Sequence, residues 1–170
     1  MCYLIHIGVP AKHAGAVRTG RVPHVEAHEN PSVSRAFGPS IATFSVTDGQ
    51  CACNLYTSPD APSRDRDSAT SRRKYERLGW SEAKIARALG ASEESSRLRQ
   101  HPRGLRQDVV ELVSGLAATA GEVRLIVHHY HGSFAEERVE PRGTREMSAA
   151  ELREGGASAV VQDMVYVIRS

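Results

Sequence analysis

Residues 105–130 read LRQDVVELVSGLAATAGEVRLIVHHY, and this stretch decides the fold class. Its first part predicts an amphipathic helix of about 16 residues, which Gly121 ends. The apolar positions that recur every three or four residues are Leu105, Val109, Leu112, Leu116 and Ala120. Residues 123–130 are then apolar on both faces, as in the central strand of a sheet. The stretch therefore predicts a long helix packed against a sheet.

The rest of the chain predicts further strands and helices. Residues 3–9 alternate as a buried strand does, and residues 41–57 predict a tight hairpin with Asp48-Gly49 as its turn. Strands at 134–139 and 159–168 flank a short helix that begins at a capping box of Ser148 and Glu151. The predicted class is α+β: a largely antiparallel β-sheet with a helical hairpin and one long amphipathic helix packed on one face.

The length of 170 residues predicts a single α+β domain, 1–170. Within it we expect a long irregular loop at about 10–40, rich in Pro and Gly, and a basic helical sector at about 64–106. No apolar run is long enough to cross a membrane, and the N-terminus lacks the basic residues of a secretory signal. With only three cysteines, the sequence predicts a cytoplasmic protein with reduced thiols and no membrane partner.

Cys51 and Cys53 lie two positions apart on the predicted return strand of the hairpin. Side chains alternate along a strand, so both thiols are expected on one face. His129 and His131 repeat this spacing at the end of the central strand. Because Zn²⁺ prefers sulfur and imidazole ligands, the two pairs predict a site for Zn²⁺ or another transition metal. Buried core cysteines and a redox-active thiol pair are the open alternatives.

The predicted loop carries a second set of candidate metal ligands, His24 and His28. The two histidines share a face if the segment is helical, and Glu26 joins them on one face if it is extended. In this interpretation the loop covers the site on the sheet. The alternative is a solvated loop whose histidines have no role.

Cys2 follows Met1 and leads into the first predicted strand. This beginning is similar to that of the glutamine amidotransferases whose N-terminal cysteine is the nucleophile. The resemblance implies that Cys2 acts as a nucleophile, with its own free amine as the base, once Met1 is removed. A retained Met1 excludes that role.

The basic sector at 64–106 holds 12 Arg and Lys against six acidic residues, a net charge of +6, whereas the rest of the chain carries −4. Such a sector can attract nucleic acid or an acidic protein partner. Residues 85–92 resemble the first helix and turn of a helix-turn-helix, which implies DNA binding, and a helical hairpin is the alternative. The candidate binding residues are Arg97, Arg99, Arg103 and Arg106.

The sequence is compatible with three classes of function, and it does not decide whether the protein is an enzyme. The first is a Cys/His metal or thiol site on the sheet, with the cysteines as ligand or nucleophile and the histidines as ligand or base. The second is a non-catalytic binding module that uses the basic sector, and the third is a structural subunit of an assembly. No glycine-rich phosphate loop and no nucleophile elbow is present, so nucleotide binding and α/β-hydrolase chemistry are excluded.

Overall fold

A computed structural model describes residues 2–17, 23–28, 30–49, 51–58, 65–98 and 104–170, with the backbone alone for 65–69, 91–98 and 156. The chain divides into two compact units. That these units form a single domain stays a prediction. Unit 1 comprises Met1–Pro59 and His101–Ser170, and unit 2 comprises Asp60–Gln100. Most of the predicted basic sector falls in unit 2.

Unit 1 is built on a six-stranded sheet. Its strands are β1 (Cys2–Pro10), β2 (His24–Ala27), β3 (Ile41–Thr47), β6 (Glu122–Tyr130), β7 (Gly143–Ser148) and β8 (Met164–Arg169). Their order across the sheet is β2-β3-β1-β6-β8-β7, and every neighbouring pair is antiparallel except the parallel pair β7 and β8. Two short strands, β4 (Tyr56–Thr57) and β5 (Gly104–Leu105), pair separately. The fold is therefore α+β with a mostly antiparallel sheet.

Helices cover both faces of this sheet, which corrects the prediction that they pack on one face. The helices α4 (Gln107–Ala120) and α5 (Ala149–Arg153) share a large apolar core with one face of β1 and β6. The helix α1 (Pro31–Phe37) packs Val33 and Phe37 on the other face, against Leu4 and Ile126. Because residues 4–9 of β1 are all buried, both faces of this strand need cover.

The helix α1 approaches the sheet closely at Gly8. A Cβ atom at this position would lie 2.5 Å from Cγ2 of Ile41 and 2.6 Å from Cδ2 of Phe37. Such distances are too short for carbon atoms in contact. The absence of a side chain at residue 8 is therefore what allows α1 to sit on the sheet.

Residues 10–40, predicted as a long irregular loop, contain a 3₁₀ helix (Ala11–Ala16), β2 and α1. Asn30 caps α1 with its side-chain oxygen, which accepts hydrogen bonds from the amides of Ser32 (2.9 Å) and Val33 (3.4 Å). Its amide nitrogen donates to the carbonyls of Phe134 and Glu137. These elements are difficult to predict from the sequence, because each is too short to show a hydrophobic periodicity and contacts with distant residues hold it in place.

The predicted hairpin at 41–57 is wrong in its second half. The strand β3 forms, but residues 51–55 are a turn, and β4 pairs with β5 rather than with β3. Both sides of β3 are already occupied, since Val46 pairs with Ile5 of β1 and with Val25 of β2. A return strand has no edge left to join.

Several local predictions are confirmed. The strand β6 is central, between β1 and β8, and Gly121 ends α4 with a positive φ of 79°. Ser148 and Glu151 form the capping box at the start of α5. Residues 134–139, by contrast, form a turn followed by irregular backbone rather than the expected edge strand.

Unit 2 contains the helices α2 (Asp65–Arg77) and α3 (Glu82–Leu98). The rings of Tyr75 and Trp80 stack with their centres 4.6 Å apart, and the ammonium of Lys84 lies 4.1 Å from the centre of the Trp80 ring. Arg72 forms ion pairs with Glu76 and Glu82. These contacts join the end of α2 to the start of α3. In the described parts of both units, no helix has the length and apolar character needed to cross a membrane.

Candidate metal centre

All three cysteines of the chain meet at the start of β1. The sulfur atoms of Cys2, Cys51 and Cys53 lie within 4.8 Å of one another. Cys2 is the first residue of β1, whereas the other two lie in the turn that follows β3. The cluster therefore joins two parts of the chain that are distant in sequence, and it is a group that can hold a metal ion.

Backbone hydrogen bonds hold this turn against β1. The amide of Asp48 donates to the carbonyl of Cys51 at 2.7 Å, and the amide of Ala52 donates to the carbonyl of Tyr3 at 2.7 Å. Ala52 is fully buried, while Cys51 is half-buried and Cys53 is exposed. The turn thus places its small apolar residue in the core and leaves the two flanking thiols near the surface.

Without a metal ion, Cys53 is held in its protonated form. Although Cys53 is exposed overall, the partial burial of its thiol, followed by a hydrogen bond with Cys51, raises the pKa of Cys53 to about 11. Reactive cysteines have a depressed pKa, so this environment disfavours Cys53 as a nucleophile at neutral pH. A bound cation reverses the balance, because it stabilises the thiolate and displaces the proton.

The spacing of the sulfur atoms is close to that of a metal–thiolate site. With Zn–S bonds of about 2.3 Å, a tetrahedral ion holds its sulfur ligands about 3.8 Å apart. The described sulfur atoms, within 4.8 Å of one another, need to move by about 1 Å at most. Rotations about the Cα–Cβ bonds can supply such a shift without a change of the backbone. Three thiolates then leave a fourth position open.

His129 and His131 contact each other, with ring centres 4.7 Å apart, but they do not belong to the group of sulfur atoms in the described structure. Cross-strand partners share a face of the sheet, and Tyr3 pairs with His129 whereas Cys2 pairs with Tyr130. The two histidines therefore start from the opposite face to Cys2. Their role as metal ligands stays a prediction.

His24 and His28 also lie outside the cysteine cluster as described. His24 begins β2, and His28 follows its last residue. The ring of His28 contacts that of His6 in the middle of β1, with ring centres 4.3 Å apart. Burial lowers the pKa of both, and for His6 the nearby His28 and His128 lower it further. Their role as metal ligands is likewise untested.

A separate cluster of charged groups surrounds His128. Its Nδ1 lies 2.5 Å from a carboxylate oxygen of Asp163, and its Nε2 lies 3.4 Å from one of Glu137. Glu137 in turn accepts hydrogen bonds from the amides of His131 and Gly132. The imidazole thus links the end of β6 to two loops, and both of its nitrogens are occupied by this structural role.

The four arginines predicted to bind a partner are only partly described. Arg99 and Arg103 lie outside the described residues, and only the backbone of Arg97 is described. Arg106 is described and forms a two-point ion pair with Asp108, at 2.7 Å and 2.5 Å. This hydrogen bond with Asp108 raises the pKa of Arg106 against the opposing effect of burial. Its guanidinium is therefore engaged within the chain.

No protein-family model, curated protein or solved structure matches this chain. The site must be interpreted from its own geometry. Sequence reasoning selected Cys51 and Cys53 as ligands, but it considered Cys2 only as a nucleophile. The signal that points to Cys2 as a third ligand is the count itself, since the chain has three cysteines and two were already assigned to one site.

Proposed function

We propose that this protein binds a thiophilic metal ion, Zn²⁺ in the first place, through the thiolates of Cys2, Cys51 and Cys53. The convergence of three sulfur atoms within 4.8 Å carries the proposal. Thiolates select ions such as Zn²⁺ and Cu⁺ over Mg²⁺ and Ca²⁺. Packing in the core does not account for the cluster, because none of the three cysteines is fully buried.

A purely redox function is less well supported. Disulfide exchange begins with attack by a thiolate, and the pKa of Cys53, raised to about 11 chiefly by burial, keeps this group protonated near neutral pH. Metal binding requires reduced thiols. We therefore place the protein in a reducing compartment, the cytoplasm.

The occupant of the fourth metal position separates two roles for the site. Structural zinc sites are closed by a fourth protein ligand, whereas catalytic sites keep this position for water or substrate. His129 and His131 are the proposed donors for closure, and because they start from the opposite face to Cys2, they reach the ion only if the backbone at the end of β6 moves. Water in the fourth position instead makes the ion available for hydrolytic chemistry.

A second candidate function is the binding of an acidic partner, nucleic acid or protein, by unit 2. Arg73, Lys74 and Arg77 are exposed on α2 and form no ion pair with any described residue. Both faces of the Trp80 ring are covered, by Tyr75 and Lys84, so a base has no stacking surface there. Any such binding rests on charge, and it weakens steeply with salt.

The test is the metal content of the reduced full-length protein, purified without a histidine tag and dialysed with one to two equivalents of Zn²⁺. We expect one Zn²⁺ per chain, with all three thiols protected from alkylation. Single replacements of Cys2, Cys51 or Cys53 by Ser should each reduce the bound zinc to well below one equivalent, because two thiolates do not complete a zinc site.

The matched control is His13→Gln, which removes an imidazole from the 3₁₀ helix at Ala11–Ala16. This variant should keep its zinc. Zinc that is retained with wild-type affinity after all three cysteine replacements, or thiols that react at the same rate with and without zinc, would refute the proposal. For the second candidate, a joint Arg73→Ala, Lys74→Ala and Arg77→Ala variant should lose binding to heparin and keep its zinc.

A further inference from the structure

Two imidazoles meet on the face of the sheet that α1 covers, away from the cysteine cluster. His6 is the fully buried centre of β1, and the half-buried His28 continues β2, where its amide donates to the carbonyl of Thr43 at 3.1 Å. Their ring centres are 4.3 Å apart, and the ring planes are inclined by 44°. Strand pairing on either side of β3, with β1 and with β2, fixes both positions.

The nitrogen atoms of these rings are not all satisfied. The Nε2 of His6 is 2.9 Å from the hydroxyl of Tyr130. The Nδ1 of His6 and the Nε2 of His28 are buried, yet neither has a hydrogen-bond partner among the described residues. Buried polar atoms without partners cost free energy and are rare, so two of them on touching rings call for an explanation.

We propose that His6 and His28 form a second metal site, in which His6 Nδ1 and His28 Nε2 bind a divalent first-row transition ion. Neutral imidazole is the commonest metal ligand in proteins, and burial keeps both rings neutral near pH 7. The site is independent of the cysteine cluster. It differs in ligand type, since nitrogen donors suit Ni²⁺ and Cu²⁺ as well as Zn²⁺.

The hydrogen bond of Tyr130 supports this assignment. A histidine that binds a metal through one nitrogen nearly always donates the N–H of the other to a fixed acceptor, which sets the tautomer and the ring orientation. With Nδ1 on the metal, His6 Nε2 donates to the hydroxyl oxygen of Tyr130, which is itself buried. Tyr130 is then a positioning residue for the ligand His6.

The spacing of the rings fits two ligands on one ion. A metal about 2.1 Å from each nitrogen lies about 3.2 Å from each ring centre, so centres 4.3 Å apart correspond to an angle of about 85° at the metal. This angle is nearer to the right angle of square-planar and octahedral ions than to the tetrahedral angle of Zn²⁺. Ni²⁺ is therefore the probe of choice.

A carboxylate lies in the same row of the sheet. Ser45 of β3 pairs with His6 on one side and with Glu26 of β2 on the other, so all three share a face. Glu26 is exposed at the edge strand and is two residues from His28. Its carboxylate or water can supply the remaining ligands. With Glu26 bound, the ligands of the ion are two histidines and one carboxylate.

The experiment uses a full-length variant with Cys2, Cys51 and Cys53 all replaced by Ser, which removes the thiol site, and Ni²⁺ as the probe. We expect one equivalent to bind, with selective broadening of the NMR signals of the His6 and His28 rings. His28→Gln should lower the affinity at least tenfold, and Tyr130→Phe should lower it about 10- to 100-fold through the lost hydrogen bond. If the triple variant does not fold, the wild-type protein with its thiols occupied by Zn²⁺ serves instead.

His24→Gln is the matched control, because it removes an imidazole from the same face of β2. This variant should bind Ni²⁺ with unchanged affinity. The proposal is overturned if the triple variant binds no Ni²⁺, or if His28→Gln and His24→Gln bind it equally well. Neither outcome bears on zinc binding by the cysteines, which the separate measurement with wild-type protein decides.

Discussion

Replacing Asp163 by Asn tests how much the charge of this residue contributes to stability. Asp163 has a positive φ of 58°, a conformation that Asn adopts as readily as Asp. The variant Asp163→Asn therefore keeps the backbone and the shape of the side chain. It removes a negative charge whose oxygen lies 2.5 Å from His128 Nδ1.

The effect depends on pH because His128 titrates. Burial lowers the pKa of His128, but the hydrogen bond and charge of Asp163, together with those of Glu137, outweigh it and raise the pKa above 6.5. A group with a raised pKa stabilises the fold fully below its unfolded pKa, near 6.5. This stabilisation is lost as the pH rises through the folded pKa.

The magnitude follows from the burial of the pair. The side chains of His128 and Asp163 are only 13% and 20% exposed, so solvent screens their interaction weakly. A hydrogen bond to a charged group contributes about 1.5–3 kcal/mol, and we expect a loss of this size in the free energy of unfolding at pH 6. At pH 9 the loss should be smaller, because His128 gives up its positive charge as the pH rises through its raised pKa, and the hydrogen bond then retains only the charge of Asp163.

The assay is urea unfolding followed by circular dichroism at both pH values. Glu140→Gln is the control, since it removes a carboxylate from an ion pair with Arg138 in which both side chains are about 70% exposed or more. This variant should lose less than about 1 kcal/mol at either pH. An equal loss for Asp163→Asn at pH 6 and pH 9, or no loss at pH 6, would show that the charge of Asp163 does not stabilise the fold through His128.

Two further predictions concern packing and capping in unit 1. Gly8→Ala should lower the free energy of unfolding by about 1–3 kcal/mol, because the new methyl group would lie 2.5 Å from Ile41, and the melting temperature reports it. Gly115 lies on the exposed side of α4, and no atom outside the backbone of this helix lies within 4 Å of a Cβ added there. Gly115→Ala should therefore raise the free energy of unfolding by about 0.5–1 kcal/mol. A change of the same sign for Gly8→Ala and Gly115→Ala would contradict this explanation. Asn30→Ala should destabilise by about 2 kcal/mol or more in urea unfolding, since it removes a helix cap and the amide group that donates to the carbonyls of Phe134 and Glu137. Asn30→Asp keeps the cap acceptor but turns a buried carboxylate oxygen toward the same two carbonyls, so it should cost at least as much as Asn30→Ala, and a smaller cost would show that the cap matters more than the donors.

Local signals in the sequence were sufficient for some elements. The periodic residues before Gly121 and the apolar run after it identified α4 and β6, because each pattern extends over several turns or residues. The capping box of Ser148 and Glu151 needed only four positions. These features depend on neighbours in sequence.

Features that depend on distant partners were not predictable. The return strand after β3 failed because β1 and β2 already occupy both edges of β3, a fact of sheet order that no local pattern contains. The same holds for Cys2, which lies beside the other cysteines because the turn is hydrogen-bonded to β1 between Ala52 and Tyr3. The pairing of His6 with His28 likewise follows from strand order.

The position of β1 in the middle of the sheet has a consequence for the order of events during synthesis. This strand leaves the ribosome before both of its neighbours, and its register with β6 runs from Cys2 opposite Tyr130 to Gly8 opposite Arg124. One edge of a strongly apolar strand therefore stays unpaired until residues 122–130 have emerged. Such long-range pairing slows folding and exposes an edge prone to aggregation. A nascent chain stopped before β6 should accordingly bind chaperones that recognise extended apolar segments, and release them once β6 is complete.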